Sequence, residues 1–195
     1  MFFILELIGT VAFAISGASV ALEKKMDIFG VAILGMTTAV GGGIMRDLII
    51  GVIPPTAFQR PVYALTALAT SVIVFLPFVR KHLSTDSVIL LVMDSLGLGI
   101  FTVTGVMTCA SLNNVFLQIF VGTLTGVGGG VLRDIFSGIR PSIFVKHFYA
   151  TASLIGALVC SLLIPLGQDI SMIIGAFVVT VLRLLAAKYR WNLPH

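Results

Sequence analysis

Residues 41–54 read GGGIMRDLIIGVIP, and residues 128–141 read GGGVLRDIFSGIRP. Seven of the fourteen positions are identical: three glycines, Arg, Asp, a fourth glycine and Pro. Most of the others exchange one apolar residue for another. Each copy lies within or at the end of a long apolar run. A glycine in a helix interior costs roughly 1 kcal/mol relative to alanine and offers no side chain to pack. Three in succession, in an apolar setting, predict a helix that breaks. A charged pair follows each expected break: Arg46–Asp47 in the first copy, Arg133–Asp134 in the second.

The surroundings of these stretches fix the class. Hydrophobic residues make up 58% of the 195-residue chain and charged residues 10%, against about 25% charged in a soluble domain. Mean hydropathy is +1.13. Apolar runs near 20 residues, rather than alternating ten-residue strands, indicate an all-α integral membrane protein. The length leaves no room for a soluble catalytic domain. The formal charge of +4 is spread over segment ends, so nucleic acid is not an expected partner. Cys109 and Cys160 sit inside apolar runs and read as packing residues. His82, His147 and His195 sit at loop ends, with no metal-ligand spacing. No nucleophile–base pair is visible, and neither an enzyme nor a cofactor is expected. The first residues, MFFILELIG, lack the basic region of a secretory signal and read as the start of a retained span.

Seven spans are expected, over residues 1–22, 27–51, 61–79, 87–112, 115–138, 144–166 and 170–187. The repeat extends beyond the glycine stretches. Glu6, Gly9, Phe13 and Gly17 match Asp94, Gly97, Phe101 and Gly105 at an offset of 88. Gly35 and Val40 match Gly122 and Val127 at 87. Phe58, Tyr63 and Ala64 match Phe144, Tyr149 and Ala150 at 86. Residues 1–80 and 81–167 thus form two three-helix units, and residues 168–195 add a seventh helix and a tail. An odd number of spans per unit makes the second unit enter from the opposite side, giving an inverted repeat. With the N-terminus outside, Lys24, Lys25, Arg80, Lys81, Arg133, Arg140, Lys146, Arg183, Lys188 and Arg190 fall inside, and only Arg46 and Arg60 outside. That bias places the C-terminus in the cytoplasm.

Inverted repeats place paired helix breaks around a central path, so Gly41, Gly42, Gly43, Gly128, Gly129 and Gly130 are candidate pore-shaping residues. The alternative is that they only permit close packing: Gly35, Ala39 and Gly43 form a small-residue ladder, as do Gly122, Gly126 and Gly130. Arg46 and Arg133 are expected in the first turn of a half-helix, where they would favour an anionic group. Neighbours on a helix point apart, so each Arg and Asp is expected to meet other partners, in the opposite repeat, as pore contact or as structural clamp. Glu6 and Asp94, at matching positions, are intramembrane acids that attract a cation or bond another helix. Thr37, Thr38 and Thr125, on the glycine-bearing spans, are candidate pore lining. Ser16, Thr102 and Thr104 are softer polar positions that can bond back to their own helices.

The doubled GGGxxRD motif, the 3+3+1 span plan and the outward N-terminus resemble the prokaryotic branch of the trimeric intracellular cation (TRIC) channel family, over essentially the whole chain. The resemblance implies a homotrimer in the inner membrane, in contact with lipid. It also implies one pore for potassium or another monovalent cation in each protomer, shaped by kinks at the six glycines. Related bacterial sequences are described as glycine transporters, which implies a second reading: a carrier for a small zwitterion.

Overall fold

In the computed structural model, residues 1–83, 87–145 and 148–191 are described. Lys146, His147 and His195 lie outside them, as do the side chains of Lys81 and His82. Among the described residues, ten α-helices follow in order: α1 (Phe2–Glu23), α2 (Ile28–Ile49), α3 (Thr56–Gln59), α4 (Val62–Phe75), α5 (Pro77–Leu83), α6 (Ser87–Thr108), α7 (Val115–Phe136), α8 (Ser142–Val145), α9 (Tyr149–Leu163) and α10 (Gln168–Tyr189). Six are long and apolar enough to cross a membrane: α1, α2, α6, α7, α10, and α9 with the turn that follows it.

The third expected span is shorter than the sequence suggested. α4 has 14 residues, about 21 Å of helix against a hydrocarbon core of about 30 Å. Pro77 ends it: the residue before a proline is pushed out of the helical region, and Leu76 stands at φ −58°, ψ 138°.

The expected breaks at the glycines are absent. α2 runs unbroken through Gly41–Gly43, and α7 through Gly128–Gly130. The fourth glycine of each motif is what ends the helix. Gly51 (φ +78°) and Gly138 (φ +68°) adopt the left-handed conformation that a side chain disfavours. Val52 N–H donates to the Asp47 carbonyl, and Ile139 N–H to the Asp134 carbonyl, each at 2.8 Å, closing the last turn as such glycine caps do. Arg46 and Arg133 therefore occupy the last turns of α2 and α7, not the first turns of half-helices. The cationic side chains complement the negative end of the helix dipole.

Packing explains the three consecutive glycines. A Cβ on Gly42 would overlap the Thr125 carbonyl oxygen, and one on Gly129 would overlap the Thr38 carbonyl oxygen. Thr38 and Thr125 are equivalent positions of the repeat, so the α2–α7 crossing is reciprocal. The first glycines face the other copy's side chain: Gly41 meets Leu132, and Gly128 meets Met45. The third lie beneath an arginine, with a Cβ on Gly43 3.9 Å from Arg46 Nη2 and one on Gly130 3.8 Å from Arg133 Nη2. Close packing, weighed above as the alternative, is thus the observed role of the second glycine in each copy.

α1 and α6 flank the crossing. Their equivalent aromatics, Phe13 and Phe101, touch at a ring-centroid distance of 5.3 Å. Both belong to the buried cluster that also holds Ala39, Leu98 and Val127. α4 packs on α1 and α2, α9 on α6 and α7, and α10 on α6 and α9. α10 has no counterpart in the first half.

Candidate functional site: two buried charge clusters

Each motif delivers its arginine to a buried cluster. In the first, Arg46 Nε donates to Asp47 Oδ1 at 2.8 Å and Nη1 to Glu6 Oε1 at 3.5 Å. Tyr63 of α4 donates its hydroxyl to Glu6 Oε2. The other oxygen of Asp47 accepts from the Thr56 N–H at 2.6 Å, holding the start of α3. In the second, Arg133 Nε and Nη2 donate to Asp134 Oδ1 at 2.9 and 2.8 Å. Arg133 Nη1 donates to Asp94 and, at 2.6 Å, to Ser16 of α1. Tyr149 of α9 donates to Asp94 at 3.5 Å, and Asp134 Oδ2 accepts from the Ser142 N–H at 2.7 Å. Glu6, Arg46, Asp47, Asp94, Arg133 and Asp134 are all buried, each at most 6% exposed.

The arginines do pair with the aspartates beside them, contrary to expectation. Helix neighbours point apart, but the long arginine side chain curls over the glycine one turn back and reaches the short aspartate. Nor are the remaining partners chiefly in the opposite repeat. Glu6 and Asp94 belong to the same copy as their arginines, and only Ser16 bridges the two. The aspartates act as clamps, one oxygen on the arginine and one on the next short helix. Tyr63 and Tyr149 matched in the repeat, but their role as carboxylate donors was not legible; the signal available was their equivalent spacing to the motif.

The clusters line cavities at opposite ends of the helices. The first opens into a cavity of about 470 Å³ beside Met1, Phe2, Arg60, Thr108, Gln168 and Asp169. A smaller recess of about 30 Å³ continues it past Gly43 to Ala39 and Phe101. The second lines a cavity of about 250 Å³ with Val20, Glu23, Leu90, Arg140 and Arg183. α1 thus begins at one cavity and ends at the other, and α6 runs the opposite way. Glu6 and Ser16 are ten residues apart on α1, so the clusters stand about 15 Å apart along it. The Phe13–Phe101 pair lies between them.

The candidate threonines do not line these cavities. Thr38 and Thr125 are buried and donate to the Leu34 and Val121 carbonyls of their own helices, each at 2.6 Å. Thr37 lines a separate apolar recess with Met26, Phe29, Ile33 and Phe136. Thr102 bonds both Leu98 O and Ser153, and Thr104 bonds Phe101 O. Of the six motif glycines, Gly43 lines a charged cavity.

A helical membrane protein with a duplicated buried ion-pair motif is the class these features define. The chain belongs to the family described as glycine transporter, whose model matches residues 3–78 and 91–165, and within it to the prokaryotic TRIC group. It is 35% identical to the membrane protein YvgT of Bacillus subtilis, over 98% of this chain and 95% of that one. It is 34% identical to the inner membrane protein YadS of Escherichia coli, over 97% and 93%. Among solved structures, one described under conductance through TRIC cation channels matches at 40% identity and TM-score 0.90, over 100% of this chain and 97% of that one. The TRIC orthologue from Rhodobacter sphaeroides matches at 31% and 0.88, over 97% and 98%.

Proposed function

We propose that the protein is a channel for a monovalent cation, potassium, with one path inside each protomer of a homotrimer. The observation that carries this reading is the placement of two carboxylate-bearing cavities at opposite ends of α1 and α6. They face each other across the α2–α7 crossing, and solved structures similar to this chain are described as cation channels. Charge balance at the two motif arginines supports it. An unpaired arginine about 4 Å from a permeating cation opposes it by roughly 4 kcal/mol at an effective dielectric near 20. Arg46 and Arg133 are each held by two carboxylates. The Phe13–Phe101 contact lies between the two cavities. We read residues 1–80 and 81–167 as inverted repeats with residues 168–195 appended, the N-terminus outside and the C-terminus in the cytoplasm.

A second reading, a carrier for a small zwitterion such as glycine, is favoured by the description attached to the family model. Purified protein in liposomes separates the two. The channel reading expects unitary potassium currents. Saturable counterflow of labelled glycine without conductance would replace it with the carrier.

A further inference from the structure

The two aspartate clamps each hold a short helix, and each short helix turns a phenylalanine outward. Phe58 of α3 and Phe144 of α8 are equivalent in the repeat, at an offset of 86. They stand 69% and 72% exposed, and neither lines a charged cavity. The two ends of the molecule diverge in cavity size and in the bonds their arginines make. Both nevertheless keep this exposed aromatic.

The clamps also fix the depth of these helices. Thr56 N–H donates to Asp47 at 2.6 Å and Ser142 N–H to Asp134 at 2.7 Å. Both aspartates lie in the last turns of α2 and α7, which have 22 residues each. Such a helix is about 33 Å long and just crosses a hydrocarbon core of about 30 Å. α3 and α8 are therefore held where hydrocarbon meets headgroups. α3 sits at the first cavity and α8 at the second, so they occupy opposite faces of the membrane. At that level an apolar side chain buries among the upper acyl carbons while neighbouring charges stay in water. Arg60, just after α3, and Arg140, just before α8, are exposed as such charges are. The chain beyond α3 has little length to spare, because α4 has only 14 residues.

We propose that α3 and α8 are lipid anchors, one in each leaflet. Phe58 and Phe144 enter the boundary between headgroups and acyl chains, and bilayer thickness thereby sets the load on the two aspartate clamps. The test starts from Trp191→Phe, which removes the one tryptophan of the chain and keeps an aromatic ring against Phe148. Phe58→Trp or Phe144→Trp is then added, and the full-length protein is reconstituted in phosphatidylcholine vesicles. A nitroxide on an upper acyl carbon should quench either tryptophan at least twofold more than one near the chain end. Should a tryptophan variant fail to assemble, Phe58→Cys or Phe144→Cys with a fluorescent thiol label takes its place; Cys109 and Cys160 are buried from the label. Quenching by aqueous iodide alone puts the side chain in water and overturns the proposal. Shielding from iodide and from both nitroxides assigns it to a neighbouring protomer and overturns it too. A second measurement tests the load: melting temperature in phosphatidylcholines of increasing chain length. The double variant Phe58→Ser, Phe144→Ser should flatten the dependence seen in the wild type. The same dependence in both proteins overturns the link between thickness and clamps.

Discussion

The two charge clusters come from one motif and differ in how tightly they are built. Arg133 makes four hydrogen bonds, to Asp94, Ser16 and twice to Asp134. Arg46 makes two, the one to Glu6 at 3.5 Å. Ser16 has Thr104 as its counterpart, and Thr104 bonds Phe101 O instead of reaching the first cluster. The tyrosines differ too. A Cβ on Gly130 would stand 2.5 Å from Tyr149 Oη, whereas one on the equivalent Gly43 would meet nothing nearer than Arg46, in open cavity. Above Tyr149 lies Arg183, from the helix that has no repeat partner. A near-symmetric sequence has become one tighter end and one more open end, because α10 packs mainly on α6 and α9 of the second copy.

The largest effect is expected where the halves remain equivalent. Gly42→Leu and Gly129→Leu each drive a side chain into a backbone carbonyl of the facing helix, where the Cβ alone would stand 2.2 Å from the oxygen, so the cost lies above the ~1–3 kcal/mol typical of overpacking against side chains. Both variants should lose the assembled, folded species on size-exclusion chromatography. A Gly42→Leu protein that assembles normally would show that the crossing is not close.

Next come the arginines, where the halves diverge. Arg133→Gln leaves Asp94 and Asp134 buried without their cation, a change of about 3–5 kcal/mol. Arg46→Gln breaks a looser cluster beside a larger cavity and should cost about half as much. Melting temperatures of the two variants in one detergent measure the difference. Equal losses would erase the contrast between a tighter and a more open end. In the channel reading, Arg46→Gln keeps potassium flux similar or higher in protein that remains folded; loss of flux there speaks for the carrier.

The aspartate clamps should respond alike. Asp47→Asn and Asp134→Asn each weaken a charge-assisted pair and a bond to the following short helix, for about 1.5–3 kcal/mol by thermal unfolding. The smallest effect is expected from the tyrosines. Tyr63→Phe removes the hydroxyl that Glu6 accepts, at about 1 kcal/mol. Tyr149→Phe removes only a 3.5 Å contact and keeps the ring beneath Arg183, so it should cost less. A larger loss for Tyr149→Phe would reverse the expected order.

Composition and the spacing of apolar runs were enough to establish a helical membrane protein, because a bilayer demands long, uncharged helices whatever their partners. The repeat was also legible, since matching residues recur at offsets of 86–88 and are read by alignment alone. The residues of both clusters were visible as charges with nowhere polar to go. Their partners were not. Whether three glycines break a helix or admit another one depends on what faces them, and Thr38 and Thr125 face them from nearly 90 residues away. Arg46 was misplaced for a related reason: the glycine that ends α2 is Gly51, and only its backbone conformation reveals that. The asymmetry between the two ends lay beyond the sequence altogether. It is decided by which copy α10 packs against, and that is a property of the assembled bundle.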